Sequence, residues 1–374
     1  MHFHIIAGEI SGDTHAAGLI LELKRQTTTD TKFTGYGGPK MVLAGGQGIF
    51  DWVETAGVVG LWEVLKMYSY FKKKLKATVT QVLTEQPAAV IFVDYPGFNL
   101  RVAKRLRAGG YTGKLLYYIS PQVWAWKKGR VKTMAKVLDL MICIFPFEKD
   151  FYQKSGLRTV FSGHPMVDRV KTLKRNWSRE SNLVGWFPGS RMNEVNRLFP
   201  IMLKASKDIL SRVPNVRFAV SAANENLANE MRHMADAAGM PEAKRWVEVG
   251  TVYDLFQRCQ AGAVASGTAT LEAAFFGLPY VLIYRVNAVT FVVAKLVVRI
   301  KKIGIINVLA QRDVVRELVQ SELNAHSLAL EMVSLLTHTE KRQSLEKDLA
   351  SIVATLGEGG AYTRAAQEVI AALS

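Results

Sequence analysis

The stretch Ala265-Ser266-Gly267-Thr268-Ala269-Thr270-Leu271-Glu272 contains the turn on which the interpretation of this chain depends. It follows a short apolar run, Ala261–Val264, and opens a helical pattern that ends at 277–279 in Gly-Leu-Pro. The N-terminus of a helix presents free backbone N–H groups to an anion, and a glycine there lets the backbone approach the ligand closely. A carboxylate one turn into the helix suits the paired hydroxyls of a ribose. The stretch therefore predicts a nucleotide diphosphate site built from Ser266, Gly267, Thr268, Thr270 and Glu272.

A second turn of the same kind, Pro188-Gly189-Ser190-Arg191, follows the apolar run Leu183–Phe187. Arginine holds a diphosphate through bidentate hydrogen bonds without the help of a metal ion. The chain contains no Asp-x-Asp motif, which a metal-bridged nucleotide sugar would lead us to expect. An exposed arginine at a helix start is the alternative, but the matching turn near residue 268 favours a binding role. We therefore predict that Gly189, Ser190 and Arg191 hold the nucleotide sugar, with no metal and no cofactor.

Apolar runs alternate with helical patterns along the whole chain. Most of the runs are continuous, which is typical of parallel strands covered by helices on both faces. A polar, basic segment at Asp168–Ser181 interrupts the pattern, and 374 residues exceed one ordinary core. We therefore predict an α/β fold with two Rossmann-like parallel-sheet domains, 1–167 and 182–345, facing across a cleft. Helices at 346–374 would follow and pack back on the first domain or exchange between subunits. The predicted strands are Phe3–Ala7, Ala88–Val93, Lys114–Ile119, Leu138–Phe145, Leu183–Phe187, Arg217–Val220, Ala261–Val264 and Tyr280–Tyr284.

Two motifs in the first half follow predicted strands. Gly8-Glu9-Ile10-Ser11-Gly12-Asp13 permits a tight turn but lacks the G-x-G-x-x-G spacing, so a plain strand–helix turn explains it equally well. Asp94 follows the run Ala88–Val93, at the sheet edge where such folds bind ligands. A carboxyl in a partly dry site has a raised pKa and could accept a proton from an attacking hydroxyl. An aspartate at this position can also simply cap the following helix.

The segment Ser120-Pro121-Gln122-Val123-Trp124-Ala125-Trp126 follows the next predicted strand, and Lys127, Lys128 and Arg130 come after it. Two tryptophans beside three cations could hold a sugar face and a phosphate. They could instead pack a loop, and an aromatic and basic combination also suits single-stranded nucleic acid. Because the sequence shows no repeated aromatic platform and no nucleic-acid-binding module, we expect no nucleic acid partner.

The charge balance points to an anionic partner. The chain has 48 Lys and Arg against 32 Asp and Glu, a net charge of +16. Leu61–Lys76 and Val289–Ile303 are amphipathic with basic edges, which is typical either of helices in a membrane interface or of core-facing helices with a solvated edge. No apolar run is long enough to predict a transmembrane helix. Cys143 and Cys259 lie in apolar surroundings and are expected to be buried free thiols in a reducing compartment.

Taken in order and spacing, these motifs resemble those of a known family, the lipid-A-disaccharide synthases. The resemblance covers nearly the whole chain, and Asn307-Val308-Leu309-Ala310 with Glu317-Leu318 extends it. The motifs that carry it are Ala7–Asp13, Ser120–Trp126, Phe145-Pro146-Phe147-Glu148, Pro188–Arg191 and Ala265–Glu272.

The resemblance implies a GT-B glycosyltransferase of Gram-negative bacteria. The donor would be UDP-2,3-diacylglucosamine and the acceptor 2,3-diacylglucosamine 1-phosphate (lipid X). An inverting, metal-independent reaction would give the β-1,6-linked lipid A disaccharide 1-phosphate and UDP. The enzyme would be cytoplasmic and peripheral on the inner face of the cytoplasmic membrane, where the basic amphipathic segments would reach the acylated substrates.

The resemblance also assigns residues to roles. Asp94 would be the catalytic base for the 6-hydroxyl of the acceptor, and Asn307 would join the nucleotide-sugar site. Family members often carry a second Asp where Gly97 stands, which favours Asp94 as the base, and Gln311 stands where Gly is expected. The expected acceptor-binding residues are Gly8, Glu9, Ser11, Gly12, Asp13, Gln122, Trp124, Trp126 and Arg130. The expected membrane contacts are Leu61, Trp62, Leu65, Tyr68, Phe71, Phe291, Lys295 and Arg299.

Other functions predict different behaviour. Another GT-B enzyme of UDP-sugars, such as a hexosamine 2-epimerase or a peptidoglycan-type transferase, would accept UDP-N-acetylglucosamine. A binding protein for RNA or acidic lipid would show salt-sensitive binding without turnover. The missing G-x-G-x-x-G motif argues against a Rossmann oxidoreductase.

Overall fold

The protein is described here from a computed structural model, in which residues 1–56, 68–126, 129–287 and 302–374 are placed. The chain forms two compact units. Unit 1 comprises Met1–Asp168 and Leu356–Ser374, and unit 2 comprises Arg169–Thr355. The first crossing between the units lies inside a helix, Met166–Leu173, at the start of the polar segment that the sequence singles out. The second crossing lies at Thr355–Leu356, beyond the boundary expected at residue 345.

Unit 1 is built on a seven-stranded parallel sheet with the order β3-β2-β1-β4-β5-β6-β7. The chain order reverses between β1 and β4, and open sheets of this kind bind ligands outside the carboxyl ends of the strands at that point. The strands are β1 His2–Ala7, β2 Lys32–Gly37, β3 Ile49–Asp51, β4 Ala89–Val93, β5 Lys114–Tyr118, β6 Leu140–Cys143 and β7 Thr159–Phe161. The helices are α1 Ile10–Gln26, α2 Pro39–Gly45, α3 Val53–Ala56, α4 Tyr68–Glu85, α5 Pro96–Ala108, α6 Val123–Trp126, α7 Arg130–Val137 and α8 Pro146–Gln153, and α9 Met166–Leu173 crosses into unit 2.

Unit 2 repeats the design with a six-stranded parallel sheet in the order β10-β9-β8-β11-β12-β13, whose chain order reverses between β8 and β11. The strands are β8 Glu180–Phe187, β9 Arg217–Ala222, β10 Val247–Val249, β11 Cys259–Ala265, β12 Tyr280–Tyr284 and β13 Glu317–Val319. The helices are α10 Met192–Arg212, α11 Glu225–Ala237, α12 Val252–Arg258, α13 Thr268–Phe275, α14 Ile305–Ala310, α15 Ala325–Thr337 and α16 Thr339–Ala354. Short 3₁₀ helices occupy Pro241–Trp246 and Gln320–Glu322, and α17 Ala361–Ala371 belongs to unit 1.

The continuous apolar strands are buried on both faces, as their sequences predict. In unit 1, Ile6 and Phe92 join a core packed by α4, α5 and α7, while their neighbours Ile5 and Ile91 point to the other face and are also buried. Each fully buried apolar side chain contributes about 1.5–3 kcal/mol. The two parallel sheets, each covered by helices, confirm the predicted α/β class.

The last helix is anchored to unit 1 by polar contacts. The carboxylate of Asp168 accepts hydrogen bonds from the backbone N–H groups of Gly360 (2.8 Å) and Ala361 (3.3 Å), which caps the N-terminus of α17. The Arg364 Nε atom donates to the Ser162 carbonyl oxygen at 2.8 Å. These bonds explain why the chain returns to unit 1 after Thr355.

Two further expectations concern the whole chain. Cys143 and Cys259 are both buried free thiols, as predicted. Among the described residues, none of the helices combines the length and the apolar character needed to cross a bilayer.

Candidate functional site

Asp94 lies in a strained turn at the carboxyl end of β4, beside the reversal point of the unit 1 sheet. Asp94 and Tyr95 have φ angles of 46° and 50°, in the left-handed region that residues other than glycine seldom occupy. The Asp94 carbonyl oxygen accepts hydrogen bonds from the Tyr117 hydroxyl and from Asn99 Nδ2, the latter at 2.7 Å. Backbone strain of this kind costs about 1–3 kcal/mol per residue and tends to occur at functional sites. The buried Asn99 and Tyr117 side chains hold the turn in place.

The Asp94 side chain borders a cavity of about 270 Å³ at this edge of the sheet. Burial, together with the nearby charge of Glu9, raises the pKa of Asp94 to about 6. A carboxyl with that pKa is ionised at neutral pH and basic enough to accept a proton from a hydroxyl in a transition state. The cavity is lined by Asp94, Pro96, Ile119, Ser120, Pro121, Gln122, Ile144 and Phe145.

The turn before α1 divides into exposed and structural residues. Glu9 and Ser11 are exposed at the helix N-terminus, whereas Gly8 is buried under the Tyr95 ring, so close that a Cβ atom would lie 2.3 Å from it. Gly12 is buried, and a Cβ there would meet Ala7 at 3.4 Å. Gly8 therefore lets α1 pack closely on the Asp94 turn, a Cβ atom at Gly12 would make only an ordinary contact, and Glu9 and Ser11 remain exposed.

Asp13, expected among the acceptor ligands, has a structural role instead. Its buried carboxylate accepts three backbone N–H groups at the start of α2, from Gly38 (2.8 Å), Lys40 (3.1 Å) and Met41 (2.9 Å). Because both oxygens are used in capping this helix, we no longer include Asp13 in the acceptor site.

Trp124, expected to lie against a sugar, faces the interior. It is 8% exposed, its indole N–H donates to the Glu148 carboxylate at 3.0 Å, and its ring packs edge-on against Phe147. We therefore also remove Trp124 from the acceptor ligands. Gln122 is exposed and lines the Asp94 cavity, Arg130 is partly exposed, and the Trp126 side chain lies outside the described part of the structure.

In unit 2, the turn after β8 presents an arginine at the N-terminus of α10. Gly189 has a φ of 107°, and a Cβ atom there would lie 2.3 Å from the Glu194 carboxylate. That carboxylate accepts the Ser190 N–H at 3.2 Å and pairs with Arg191 at 3.3 Å. The Arg191 side chain is 74% exposed, so this pairing is weak in water and a diphosphate could replace it.

The turn after β11 forms the second half of this site. Gly267 (φ 148°) and Thr268 are exposed at the N-terminus of α13, and Ser266 is partly exposed. Thr270 is 1% exposed, and its hydroxyl donates to the Gly267 carbonyl oxygen at 2.7 Å, so it shapes the turn from within. We therefore no longer expect the Thr270 hydroxyl to contact a phosphate.

Glu272 has a partner that the sequence does not reveal. Its carboxylate accepts a hydrogen bond from the Tyr253 hydroxyl at 3.0 Å, and the Arg169 guanidinium lies 5.0 Å from the centre of the Tyr253 ring. Burial raises the pKa of Glu272, while the bond from Tyr253 and the charge of Arg169 oppose the rise. Tyr253 lies on α12, 19 residues before Glu272 and outside the motif, and the fold brings it to the turn.

Asn307, expected in the nucleotide-sugar site, is wholly buried and fully bonded. Its amide donates to the Val315 carbonyl oxygen (2.7 Å) and to Glu317 (2.8 Å), and its oxygen accepts the N–H groups of Val314 (2.8 Å) and Val315 (2.9 Å). Such an arrangement fixes the loop before β13 and leaves no amide group for a ligand. We therefore assign Asn307 a structural role.

The remaining predictions fall partly outside the described residues. The structure does not describe residues 57–67 and 288–301, nor the side chain of Tyr68. These ranges contain six of the expected membrane contacts: Leu61, Trp62, Leu65, Phe291, Lys295 and Arg299. Phe71 is half-buried beside Trp52, with ring centroids 6.5 Å apart. Over the described ranges, no three His, Cys, Asp or Glu side chains form a group able to hold a metal ion.

Comparison with known proteins identifies the family of the chain. The family model described as lipid-A-disaccharide synthetase matches residues 3–372. The lipid-A-disaccharide synthase of Geobacter metallireducens is 40% identical over 98% of this chain and 96% of its own length, and that of Geobacter sulfurreducens is 38% identical with the same coverage.

The solved structures establish the fold. A UDP-GlcNAc 2-epimerase from Neisseria meningitidis, bound to UDP-GlcNAc, superposes with a TM-score of 0.63 at 11% identity, covering 99% of this chain and 100% of that one. This likeness confirms the GT-B class, and at such low identity it does not favour an epimerase. The members of the matching family are hexosyltransferases that act on UDP-sugars, and the match covers nearly the whole chain. This chain therefore belongs to the lipid-A-disaccharide synthase family and catalyses lipid A disaccharide synthesis.

Proposed function

We propose that the chain transfers 2,3-diacylglucosamine from UDP-2,3-diacylglucosamine to lipid X, with Asp94 as the catalytic base. The observation that carries this proposal is the Asp94 carboxyl itself. It borders a cavity at the carboxyl ends of β4, β5 and β6, in a strained turn held by Asn99, and its pKa is raised to about 6. A carboxyl that only capped a helix would need neither the strain nor the burial.

The reaction is a displacement at the anomeric carbon of the donor. The acceptor 6-hydroxyl gives its proton to the Asp94 carboxylate as its oxygen bonds to that carbon. The bond from the carbon to the diphosphate oxygen breaks, and its electron pair leaves with UDP. Attack on the face opposite the leaving group inverts the α-linked donor to a β-1,6-linked product. Glu9, whose charge acts on Asp94, Ser11, exposed on the same turn as Glu9, and Gln122, on the cavity wall, would bind the acceptor.

Unit 2 would hold UDP. The exposed Arg191 guanidinium and the backbone N–H groups at the start of α10 and α13 would stabilise the charge that develops on the diphosphate. A guanidinium can fill this role without a divalent cation, and we propose a metal-independent reaction on that basis. The Glu272 carboxylate, oriented by Tyr253, would accept hydrogen bonds from the ribose hydroxyls.

The enzyme would work at the inner face of the cytoplasmic membrane of a Gram-negative bacterium. Helices α4, α5 and α7 pack on one core, and their sequences contain a single carboxylate, Glu85. Each Lys or Arg near an anionic bilayer contributes about 1 kcal/mol of attraction. This surface suits a protein whose substrates keep their acyl chains in lipid. Its exposed cations are Lys72, Lys73, Lys76, Arg101, Lys104, Arg105, Lys132 and Lys136.

Release of UDP tests the proposal. Purified protein in detergent micelles with EDTA should release UDP only when UDP-2,3-diacylglucosamine and lipid X are both present. Release from UDP-N-acetylglucosamine without lipid X would contradict the proposed substrates, and loss of activity in EDTA that added Mg²⁺ restores would contradict the metal-independent reaction.

A further inference from the structure

Apart from Gln122, one wall of the Asp94 cavity has no part in the proposed mechanism. It is formed by Ile119–Gln122, just after β5, and it contains Ser120. Ser120 is 5% exposed, and its hydroxyl makes no hydrogen bond to any part of the chain that the structure describes. Native proteins seldom leave a buried hydroxyl without a partner, because burial removes the water that would otherwise bind it. A missing partner on a cavity wall points to a ligand atom.

The backbone before Ser120 is strained in the same way as the Asp94 turn. Ile119 has a φ of 59°, which is a clear outlier for a β-branched residue. Its N–H donates to the Ile142 carbonyl oxygen at 3.0 Å, so the turn is fixed against the neighbouring strand. Two strained turns on the adjacent strands β4 and β5 thus bring Asp94 and Ser120 to the same cavity.

Helix α8 stabilises this wall through Glu148. Glu148 is the last residue of the motif Phe145-Pro146-Phe147-Glu148, to which no role has been assigned. Glu148 is fully buried, and its two oxygens accept the Trp124 indole N–H (3.0 Å) and the Phe145 backbone N–H (3.3 Å). On the same helix, the Tyr152 hydroxyl donates to the Pro121 carbonyl oxygen at 2.6 Å. Helix α8 therefore binds the segments on either side of the cavity.

The choice of a carboxylate at position 148 has a physical reason. Two N–H donors approach its two oxygens, so a glutamine would turn an NH₂ group toward one of the donors. Burial raises the pKa of Glu148 to about 7, and the nearby Ser120 hydroxyl, followed by the Trp124 bond, opposes the rise. The Ser120 hydroxyl therefore lies near the Glu148 carboxylate and the Tyr152 hydroxyl, without the geometry of a hydrogen bond to either.

We propose that Ser120 binds the acceptor, its hydroxyl forming a hydrogen bond to an oxygen of the glucosamine ring in the Asp94 cavity, and that Glu148 is the positioning residue that holds Ser120 there. The cavity then offers polar groups from Asp94, Ser120 and Gln122 between apolar walls, a mixture that suits a sugar ring. This inference rests on the proposed function, because it places the acceptor of that reaction beside Asp94.

Steady-state kinetics of Ser120→Ala test the first part. The variant should raise the KM for lipid X about fivefold to tenfold, as expected for one lost hydrogen bond, and leave the KM for the UDP-sugar within about twofold. Ser162→Ala is the matched control, because Ser162 is an equally buried serine after β7 whose hydroxyl bonds the Cys143 carbonyl oxygen instead of lining the cavity. An unchanged KM for lipid X in Ser120→Ala would overturn the inference.

A double-mutant cycle tests the second part. If Glu148 acts through Ser120, Glu148→Gln should raise the same KM, and the double variant should be no worse than the more affected single variant. UDP affinity, measured by calorimetry, should stay unchanged, and thermal unfolding should show that unit 1, which contains both residues, remains folded. Additive effects would overturn the positioning role of Glu148. If the wild-type enzyme does not use lipid X, both the proposed function and this inference are contradicted. If wild-type turnover is normal and the KM for lipid X is unchanged in Ser120→Ala, only this inference is contradicted.

Discussion

The Asn99 side-chain amide donates a 2.7 Å hydrogen bond to the main-chain carbonyl oxygen of Asp94, five residues before it in the chain. The bond holds an aspartate in the left-handed region, at the edge of the sheet where folds of this kind bind their ligands. Asn99 is itself buried at the start of α5, so the helix that follows the turn also fixes its shape.

Replacing Asp94 by asparagine should stabilise the protein at neutral pH. The pKa of Asp94 is about 6 in the folded protein against an ordinary value of 3.8, so the folded state binds the proton more tightly. The stability that this provides is present below pH 4 and is lost as the pH rises through 6. The uncharged asparagine side chain carries no such penalty, and asparagine also tolerates a positive φ. Urea unfolding of Asp94→Asn at pH 7.5 should show a gain on the order of 1–3 kcal/mol.

The gain should disappear in acid. At pH 3.5 the variant and the wild type should differ much less, because Asp94 is then largely protonated in both the folded and the unfolded states. Asp30→Asn, at an exposed aspartate before β2, is a suitable control and should change stability little at either pH. A variant that is less stable than the wild type at pH 7.5 would contradict the raised pKa of Asp94.

The charge of Glu9 should shift the acid limb of the pH–rate profile through its effect on the pKa of Asp94. Glu9 helps to raise the pKa of Asp94, so Glu9→Gln should lower that pKa and move the midpoint of kcat/KM, near pH 6 in the wild type, to lower pH. Ser11→Ala changes an uncharged neighbour on the same exposed turn and should leave the midpoint in place. An acid limb that does not move in Glu9→Gln would show that another group governs it.

Asp13 should matter for stability and not for acceptor binding. Asp13→Ala leaves three backbone N–H groups at the start of α2 without their acceptor, which should cost about 1–3 kcal/mol in thermal or urea unfolding. The KM for lipid X should stay within about twofold of the wild type at a temperature where the variant is folded. Thr14→Ala, at the adjacent and more exposed position, should have little effect. A stable variant with a raised KM would return Asp13 to the acceptor site.

The Tyr253 hydroxyl should contribute to UDP affinity through Glu272. Tyr253→Phe removes the 3.0 Å bond that orients the carboxylate, and calorimetry should show UDP binding weakened about threefold to tenfold. Tyr111→Phe removes a comparable hydroxyl in unit 1, where it bonds the Pro87 carbonyl oxygen, and should leave UDP affinity unchanged. Equal UDP affinity in Tyr253→Phe and the wild type would contradict the proposal that Glu272, oriented by Tyr253, binds the ribose hydroxyls.

The strands that the sequence predicts are those buried on both faces. The eight apolar runs all became strands, because continuous apolar stretches of this length have few other stable environments. The strand β2 was missed because its sequence, Lys-Phe-Thr-Gly-Tyr-Gly, mixes polar residues and glycines. Gly35 is required there, since a Cβ atom would lie 1.9 Å from the Ile5 carbonyl oxygen. The strands β3, β7, β10 and β13 have only three residues each and leave little pattern to detect.

For the site, the sequence predicted positions better than roles. Asp94 and the turns before α10 and α13 could be placed, because strand ends and glycines have recognisable spacing. Asp13, Trp124, Thr270 and Asn307 belong to residue types that bind ligands and also cap helices or fill cores. The partners of Asp13, Trp124 and Asn307 lie outside their motifs, and that of Thr270 lies within its own turn, so only the folded structure separates the two uses. Ser120 and Glu148 could not have been chosen from the sequence for the same reason.

The most direct test of the account is disaccharide formation by Asp94→Asn, with UDP binding measured on the same preparation. The account predicts that turnover falls by at least about a hundredfold, as expected for loss of a general base, while calorimetry shows UDP affinity equal to that of the wild type. Near-normal disaccharide formation from UDP-2,3-diacylglucosamine and lipid X would show that Asp94 is not the base and would contradict the account.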